Sequence, residues 1–402
     1  FGSTSGLSGV STGSQVLNLV TFVVTQLAMG ITVLIARYLG EKREDQIGSI
    51  IGGGTVVFAA ISLVLFVIMV GFARPIAVLM QAPEEAVGLT VAYIRICGAG
   101  IFFIVAYNVL SAIFRGLGDS NSPLLFVFVA CIVNVVGDLV LVAGLGMDAM
   151  GAALATVFAQ ALSVVFAIVR LVKKGLPFTI TGYDFRWNPQ CGKFLQIGLP
   201  LALQECLTQG SFLALCAFVN RLGLEASSGY GVACKIVNFA MLIPSALMQS
   251  TSSFVSQNVG AGEQKRAKKT MFTGIGIGLL VGCFAFSLVF FRGDLLAGIF
   301  SADAAVVQRG YEYLKGFAPE TLLTAVLFSM MGYFNGNGKT VWVMLQGLIQ
   351  TLLVRLPFAY YMSIQPDASL TNIGLAAPIS TAVGIVLNVA FFLYLEHAAK
   401  RS

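Results

Sequence analysis

Long apolar runs separated by short polar loops cover almost the whole chain, and their spacing predicts eleven helices. These lie over about 14–37, 47–72, 88–115, 122–144, 149–173, 194–220, 226–257, 267–291, 304–335, 339–363 and 370–396. Each is long enough for the ~30 Å hydrocarbon core of a bilayer, which about 20 helical residues cross. No run alternates apolar and polar residues with the period of two that a transmembrane barrel strand requires. The pattern predicts an all-α polytopic membrane protein. Its longest polar connection, 174–193, holds Pro177, Tyr183, Trp187 and Pro189.

The chain also repeats itself at a spacing of 220 residues. Asn18 matches Asn238, Gly40 matches Gly260, Tyr93 matches Tyr313, and Phe114-x-Gly116-x-Gly118 matches Phe334-x-Gly336-x-Gly338. Near the C-terminus the offset slips by three, pairing Gly151 and Ala153 with Gly374 and Ala376, as one loop insertion would cause. Applied to the helix 194–220, the offset places a partner just ahead of Phe1. The expectation is two six-helix bundles with 11 of 12 helices in this chain, the first helix of the first half lying outside it. The segments divide into an N-terminal bundle over 1–173, a linker over 174–193 and a C-terminal bundle over 194–402. Six helices per half give both repeats one orientation, so their pseudo-two-fold axis runs along the membrane normal and the bundles face a central cleft. Duplicated hydrophobic halves of this kind point to a transporter.

Composition agrees: 57% hydrophobic and 10% charged residues exclude an ordinary soluble domain. The formal net charge of +6 is a topology signal and not a nucleic-acid footprint, because the basic residues gather in short loops. One side of the predicted helices carries Arg37, Lys42, Arg43, Arg115, Arg170, Lys173, Lys174, Arg186, Lys193, Lys265, Arg266, Lys268, Lys269, Lys339, Lys400 and Arg401. The positive-inside rule makes that side cytoplasmic and puts the C-terminus there. Seven scattered cysteines and the single His397 offer no zinc site. Gly52-Gly53-Gly54 and Gly274-x-Gly276-x-Gly278 lack the Lys-Ser/Thr of a phosphate loop and are read as close helix packing. With no His cluster, Ser/Lys dyad or paired-Asp motif in the spans, an embedded enzyme is excluded. No ATP-binding motif appears either, so an ion gradient must supply the energy.

The loops carry a family resemblance. Ser256-Gln257-Asn258-Val259-Gly260-Ala261-Gly262, followed by Lys265-Arg266-Ala267, resembles the signature after the eighth helix of multidrug and toxic compound extrusion (MATE) transporters. Ala36-Arg37-Tyr38-Leu39-Gly40 is its weaker copy. Phe114-Arg115-Gly116-Leu117-Gly118-Asp119 with Pro123 is similar to the family's loop between helices four and five, and Gly198-Leu199-Pro200 to the start of its seventh. The bacterial and archaeal DinF-like branch fits best. The resemblance implies a monomeric secondary exporter in the inner (plasma) membrane, without cofactor, that exchanges H⁺ or Na⁺ for organic, often cationic, small molecules. A flippase or exporter of lipid-linked saccharide or another amphiphile is the alternative on the same duplicated plan.

Ionisable groups inside a bilayer are costly and are functional candidates by default. Asn134 and Asp138 stand four apart on one helix face, while their repeat counterparts are the apolar Val354 and Phe358. Packing symmetry therefore does not demand the polar pair. Thr156, opposite Ile379 in the repeat, can add a hydroxyl. This set is similar to the ion-site pattern of the family's N-terminal bundle, and its oxygens suit Na⁺ or a proton. The structural alternative is a hydrogen bond between Asn134 and Asp138 that ties helices together. Glu205, with Gln204, Thr208 and Gln209 nearby, can bind a cationic substrate or exchange a proton, or else pair with Lys235. Glu320 follows Pro319, whose missing N–H kinks the helix and frees a carbonyl beside the carboxylate. It suits a cation site or a hinge, or else an ion pair with Arg355. The buried acids Asp138, Glu205 and Glu320 set against Arg95, Lys235 and Arg355 favour cations over anionic headgroups.

Overall fold

The computed structural model describes residues 4–80, 82–173 and 180–399; Lys174, Pro177, Lys400 and Arg401, named above, lie outside them. Among the described residues nine helices are long and apolar enough to cross a membrane, and two bent helix pairs bring the number of spans to eleven. The spans of the first half are α1 (Thr4–Gly40), α2 (Glu44–Gly71), α3 (Glu84–Ala99 with Ile101–Gly116), α4 (Asn121–Gly144) and α5 (Asp148–Lys173). Those that follow are α6 (Pro189–Asn220), α7 (Leu224–Gly260), α8 (Gln264–Gly298), α9 (Ala304–Phe317 with Glu320–Gly336), α10 (Thr340–Ser363) and α11 (Leu370–Ala399). Each predicted helix has its counterpart in that succession.

The differences have local causes. The first helix, expected from about residue 14, already begins at Thr4 and runs through a Gly/Ser-rich stretch. Its small residues let two helices touch: a Cβ on Gly9 would strike Leu89, and one on Gly13 would strike the Tyr93 ring. Both α3 and α9 bend at mid-length, by 54° and 47°. Proline explains α9, whose break is at Ala318-Pro319. In α3 the bend falls at Gly100, which occupies the place of Glu320 under the 220 offset. The repeat also accounts for Arg292, a non-helical residue within α8 (φ −134°, ψ 24°). Its counterpart Phe72 (φ −107°, ψ 19°) separates α2 from a short helix, Ala73–Leu79.

Contacts divide the chain into two compact units, Phe1–Ala202 and Leu203–Ser402. In unit 1, α1 packs against both halves of α3, and α4 against α5. Unit 2 repeats the plan, with α7 against both halves of α9 and against α8. The division falls within α6, because glycines press its first turns onto α1: a Cβ on Gly30 would meet the Phe194 carbonyl, and one on Gly198 the Leu27 carbonyl. The described part of the linker is stapled to unit 1 as well. Ser49 donates to Asp184 Oδ1 at 2.8 Å, and Asn188 Nδ2 donates back to the Ser49 carbonyl at 2.9 Å. Tyr38 donates to Gln190 Oε1 at 2.9 Å and accepts from Lys193 Nζ at 2.9 Å. This seat explains the glycine triplet, of which Gly54 faces a neighbouring span at Ile31. Gly52 lies under Asp184, and Gly53 under Asn188 and Cys191.

Two outcomes follow. Gly30→Val overpacks the α1–α6 contact and should cost about 1–3 kcal/mol, read as a lower melting temperature, whereas Gly276→Val, in open space, should leave it unchanged. The second concerns pH. The backbone N–H of Thr181 holds the Asp184 carboxyl below the usual carboxylate range, helped by the Ser49 and Thr181 hydroxyls. A group with a depressed folded pKa stabilises above its unfolded value and loses that contribution as pH falls through the folded one. The staple is thus complete above about pH 4 and weakens below it. Proteolysis of the segment 180–188 should accelerate in acid, and Asp184→Asn should abolish the acid step.

Candidate functional site

In unit 1, α4 ends its α-helical part at Asp138 and continues as a π-helical segment, Leu139–Gly144. Asn134 and Asp138 are half-buried on that helix, facing α5. Asn134 Nδ2 donates to Thr156 Oγ1 at 3.4 Å, and Thr156 donates to the Ala152 carbonyl at 2.9 Å. Tyr93, only 4% exposed on α3, lies near Thr156 and within electrostatic range of Asp138. The Oδ1 atom of Asp138 is buried and has no hydrogen-bond partner among the described residues. None of their ion pairs involves it. The result is a carboxylate with a free oxygen, beside an amide and two hydroxyls. Such a set accepts a small cation or a proton without displacing a resident counter-ion.

A second cluster lies in unit 2. Glu320, 4% exposed, opens the second half of α9. Its Oε1 accepts from Thr381 at 2.8 Å; Thr381 in turn accepts from Gln350 Nε2 at 3.1 Å, and Gln350 Oε1 accepts from Gln346 Nε2 at 2.6 Å. Every donor in this chain points toward the carboxylate. Arg355, 7% exposed, donates from Nε to Ser380 at 3.2 Å and lies 5.6 Å from the Phe212 ring centroid. Nearer the Thr340 end of α10, Trp342 donates to Asn388 Oδ1 at 2.9 Å. Gly384 makes room for the two glutamines, since a Cβ there would stand 2.5 Å from Gln346 Nε2 and 2.6 Å from Gln350 Oε1. Glu320 Oε2, Gln346 Oε1 and Asn388 Nδ2 are buried without partners among the described residues.

A family model, MatE, matches residues 1–140 and 200–361. The chain belongs to the MatE family. That is a family of multidrug transporters and not of enzymes. Among similar proteins, the probable multidrug resistance protein YpnP of Bacillus subtilis (strain 168) is 27% identical over 286 residues, 71% of this chain and 64% of that protein. The chain therefore spans less than two thirds of YpnP's length. The multidrug export protein MepA of Staphylococcus aureus (strain NCTC 8325 / PS 47) is 26% identical over 355 residues, 85% of this chain and 77% of that protein. The fold is similar to that of a solved multidrug resistance MATE family transporter of the MOP superfamily, with a TM-score of 0.94 at 20% identity over 100% of this chain and 90% of that one. A MOP superfamily transporter from Pyrococcus furiosus gives 0.92 at 21% identity, again over 100% and 90%.

Within this MatE fold the ion pairs considered from the sequence are not formed. Lys235 is exposed and sets its ammonium 5.6 Å from the Phe300 ring centroid; no ion pair of the described residues joins it to Glu205. Counted from the α6–α7 loop, Glu205 lies deeper than Lys235, which separates them at ~1.5 Å of rise per residue. Glu205 instead accepts from Gln209 Nε2 at 2.7 Å. Gln204 lies over Gly347, and Thr208 turns back to the Gln204 carbonyl at 3.0 Å. Glu320 and Arg355 lie within electrostatic range of each other without a direct bond, separated by the adjacent hydroxyls of Ser380 and Thr381.

Tyr93, Gln346, Gln350, Thr381, Ser380 and Asn388 escaped the sequence reading. A signal existed for two of them. Gln346 and Gln350 are four apart within a span, and their repeat counterparts, Phe126 and Ala130, are apolar. Arg355 was expected opposite Glu320, but its place beside Gln350 was not, because α10 is π-helical over Ile349–Arg355. Residues five apart share a face in a π-helix, whereas an α-helix would turn Gln350 and Arg355 about 140° from each other. Thr381→Val should leave the buried Glu320 Oε1 without its donor, at a cost of about 1–3 kcal/mol, while Thr381→Ser restores it. Thermal unfolding of the two variants checks this; equal melting temperatures would refute the bond's contribution.

Proposed function

We propose that the chain is a secondary active efflux transporter that exchanges H⁺ or Na⁺ for organic, cationic drugs or other toxic compounds by alternating access. It works as a monomer in the plasma membrane, with its C-terminus on the cytoplasmic side, and uses an ion gradient without a cofactor. The names of its relatives, a multidrug export protein and a probable multidrug resistance protein, support the substrate class. The observation that carries the coupling is the free, buried Oδ1 of Asp138 beside Asn134 and Thr156. In this reading those three residues take the coupling ion, with Tyr93 holding Thr156 in place. Glu320, Glu205, Gln204, Thr208 and Gln209 serve the cationic substrate or a second proton. Lys235 and Arg355 remain structural cations, the latter holding the Ser380 side of the Glu320 cluster.

Purified protein in lipid vesicles tests this. Ethidium or norfloxacin should move when ΔpH or a Na⁺ gradient is imposed, and Asp138→Asn should slow that movement about tenfold or more. No gradient-dependent movement of any cationic dye would sink the proposal. Unchanged transport and ion dependence in Asp138→Asn would remove Asp138 from it.

A further inference from the structure

The last turns of α5 frame a cavity of about 370 Å³ lined by Phe166, Val169, Arg170 and Lys173. Its two halves differ in chemistry. Phe166 and Val169 form an apolar wall, and the Phe166 ring is held edge-on against Phe126 at 5.9 Å, itself edge-on to Phe114 at 5.2 Å. Arg170 and Lys173, three apart and so on one helix face, supply two positive charges at the end of the span. Arg170 is anchored: its Nε donates to Ser122 Oγ at 2.7 Å, and Ser122 is wholly buried and donates to Asp119 Oδ2 at 2.5 Å. Only Nε is used this way. Among the described residues neither the terminal nitrogens of Arg170 nor the Lys173 ammonium takes part in an ion pair. The outer face of α5 just before these residues is apolar and exposed, with Val165 at 56% and Ile168 at 47%.

The repeat again provides the control. Three residues of slip set Leu393 opposite Arg170 and Glu396 opposite Lys173. In unit 2 the charge at that place is negative and is satisfied within the protein, Glu396 pairing with Lys268 at 2.5 Å. The counterpart of Lys268 in unit 1 is Gly48, which can hold no such latch. The scaffold therefore does not require cations here. Where unit 2 closes the position with an internal ion pair, unit 1 leaves two cations over a rigid apolar wall at the end of a membrane-exposed helix.

We infer that this groove binds one anionic phospholipid, its phosphate held by Arg170 and Lys173 and the upper part of an acyl chain lying against Phe166 and Val169. Charge complementarity selects the headgroup, and basic pockets between spans on the cytoplasmic side recognise anionic lipids in this way. A fixed guanidinium loses little freedom on meeting a phosphate, which adds to its affinity. Zwitterionic lipids match the wall equally well but cancel the phosphate charge with their own ammonium.

Native mass spectrometry of the purified chain, with phosphatidylglycerol and phosphatidylcholine of identical acyl chains in competition, tests the assignment. Phosphatidylglycerol should be retained roughly tenfold in excess, and Arg170→Gln with Lys173→Gln should bring the two lipids to parity. Should that pair fail to fold, Val169→Trp fills the wall, keeps both charges and should equally lower retention. Glu396→Gln, at the corresponding place in unit 2, should not change the preference. Retention of the full preference in the double variant or in Val169→Trp would overturn the inference. So would equal competition by free glycerol phosphate, which would mark a soluble-anion site instead.

Discussion

Helix backbones in contact, with glycine where a Cβ would collide, are the constraint on which both units depend. Inside lipid there is no hydrophobic gain from bringing helices together, so association rests on close packing and interhelical hydrogen bonds. Gly30 and Gly198 seat α6 on α1, and Gly9 and Gly13 seat α1 on α3. What happens to polar groups then follows. Side chains trapped between closely set helices lose water and must find partners within the protein. The Tyr93 ring fits against Gly13 of α1, and Gln346 reaches Gln350 because Gly384 leaves the space. The polar clusters are consequences of the packing that encloses them.

Two of the three π-helical segments among the described residues lie where the polar chemistry is; the third, Val67–Gly71, is wholly apolar. Asp138 is the last residue before a π-helical segment, and a longer one carries Gln350 and Arg355. A π turn leaves the α register and swings side chains onto a new face, which is why such segments gather at functional sites. Bends act in the same sense. Glu320 sits just past the break in α9, whereas Gly100 takes its place in α3. One backbone device thus serves two units with different side chains on it.

That difference separates the two halves of the duplication. Asn134, Asp138 and Thr156 correspond in the repeat to Val354, Phe358 and Ile379, while Gln346, Gln350 and Glu320 correspond to Phe126, Ala130 and Gly100. Each unit is polar where the other is apolar. The same contrast appears at the end of α5 and α11, where Lys268 and Glu396 close unit 2 and Arg170 and Lys173 leave unit 1 open. A symmetric scaffold with asymmetric polar groups is what the proposed division of labour requires, one unit for a coupling ion and the other for a second charge.

The sequence by itself determined the number of spans, their order, the duplication and the family, because hydropathy and a fixed offset are properties of the chain alone. It also marked Asn134 and Asp138, since an α-helical spacing of four holds up to the start of the π segment. It could not reveal Tyr93, Thr381 or Ser380 as partners: their significance depends on which helix lies opposite, and that is set by glycine contacts far along the chain. Nor could it settle the ion pairs. Lys235 prefers the Phe300 ring to Glu205, and Arg355 reaches Ser380 instead of Glu320 directly, because depth and register decide which charges meet. Tertiary structure alone decided those matters, for a physical reason: a hydrogen bond is lost within a few tenths of an ångström, while hydropathy is summed over twenty residues.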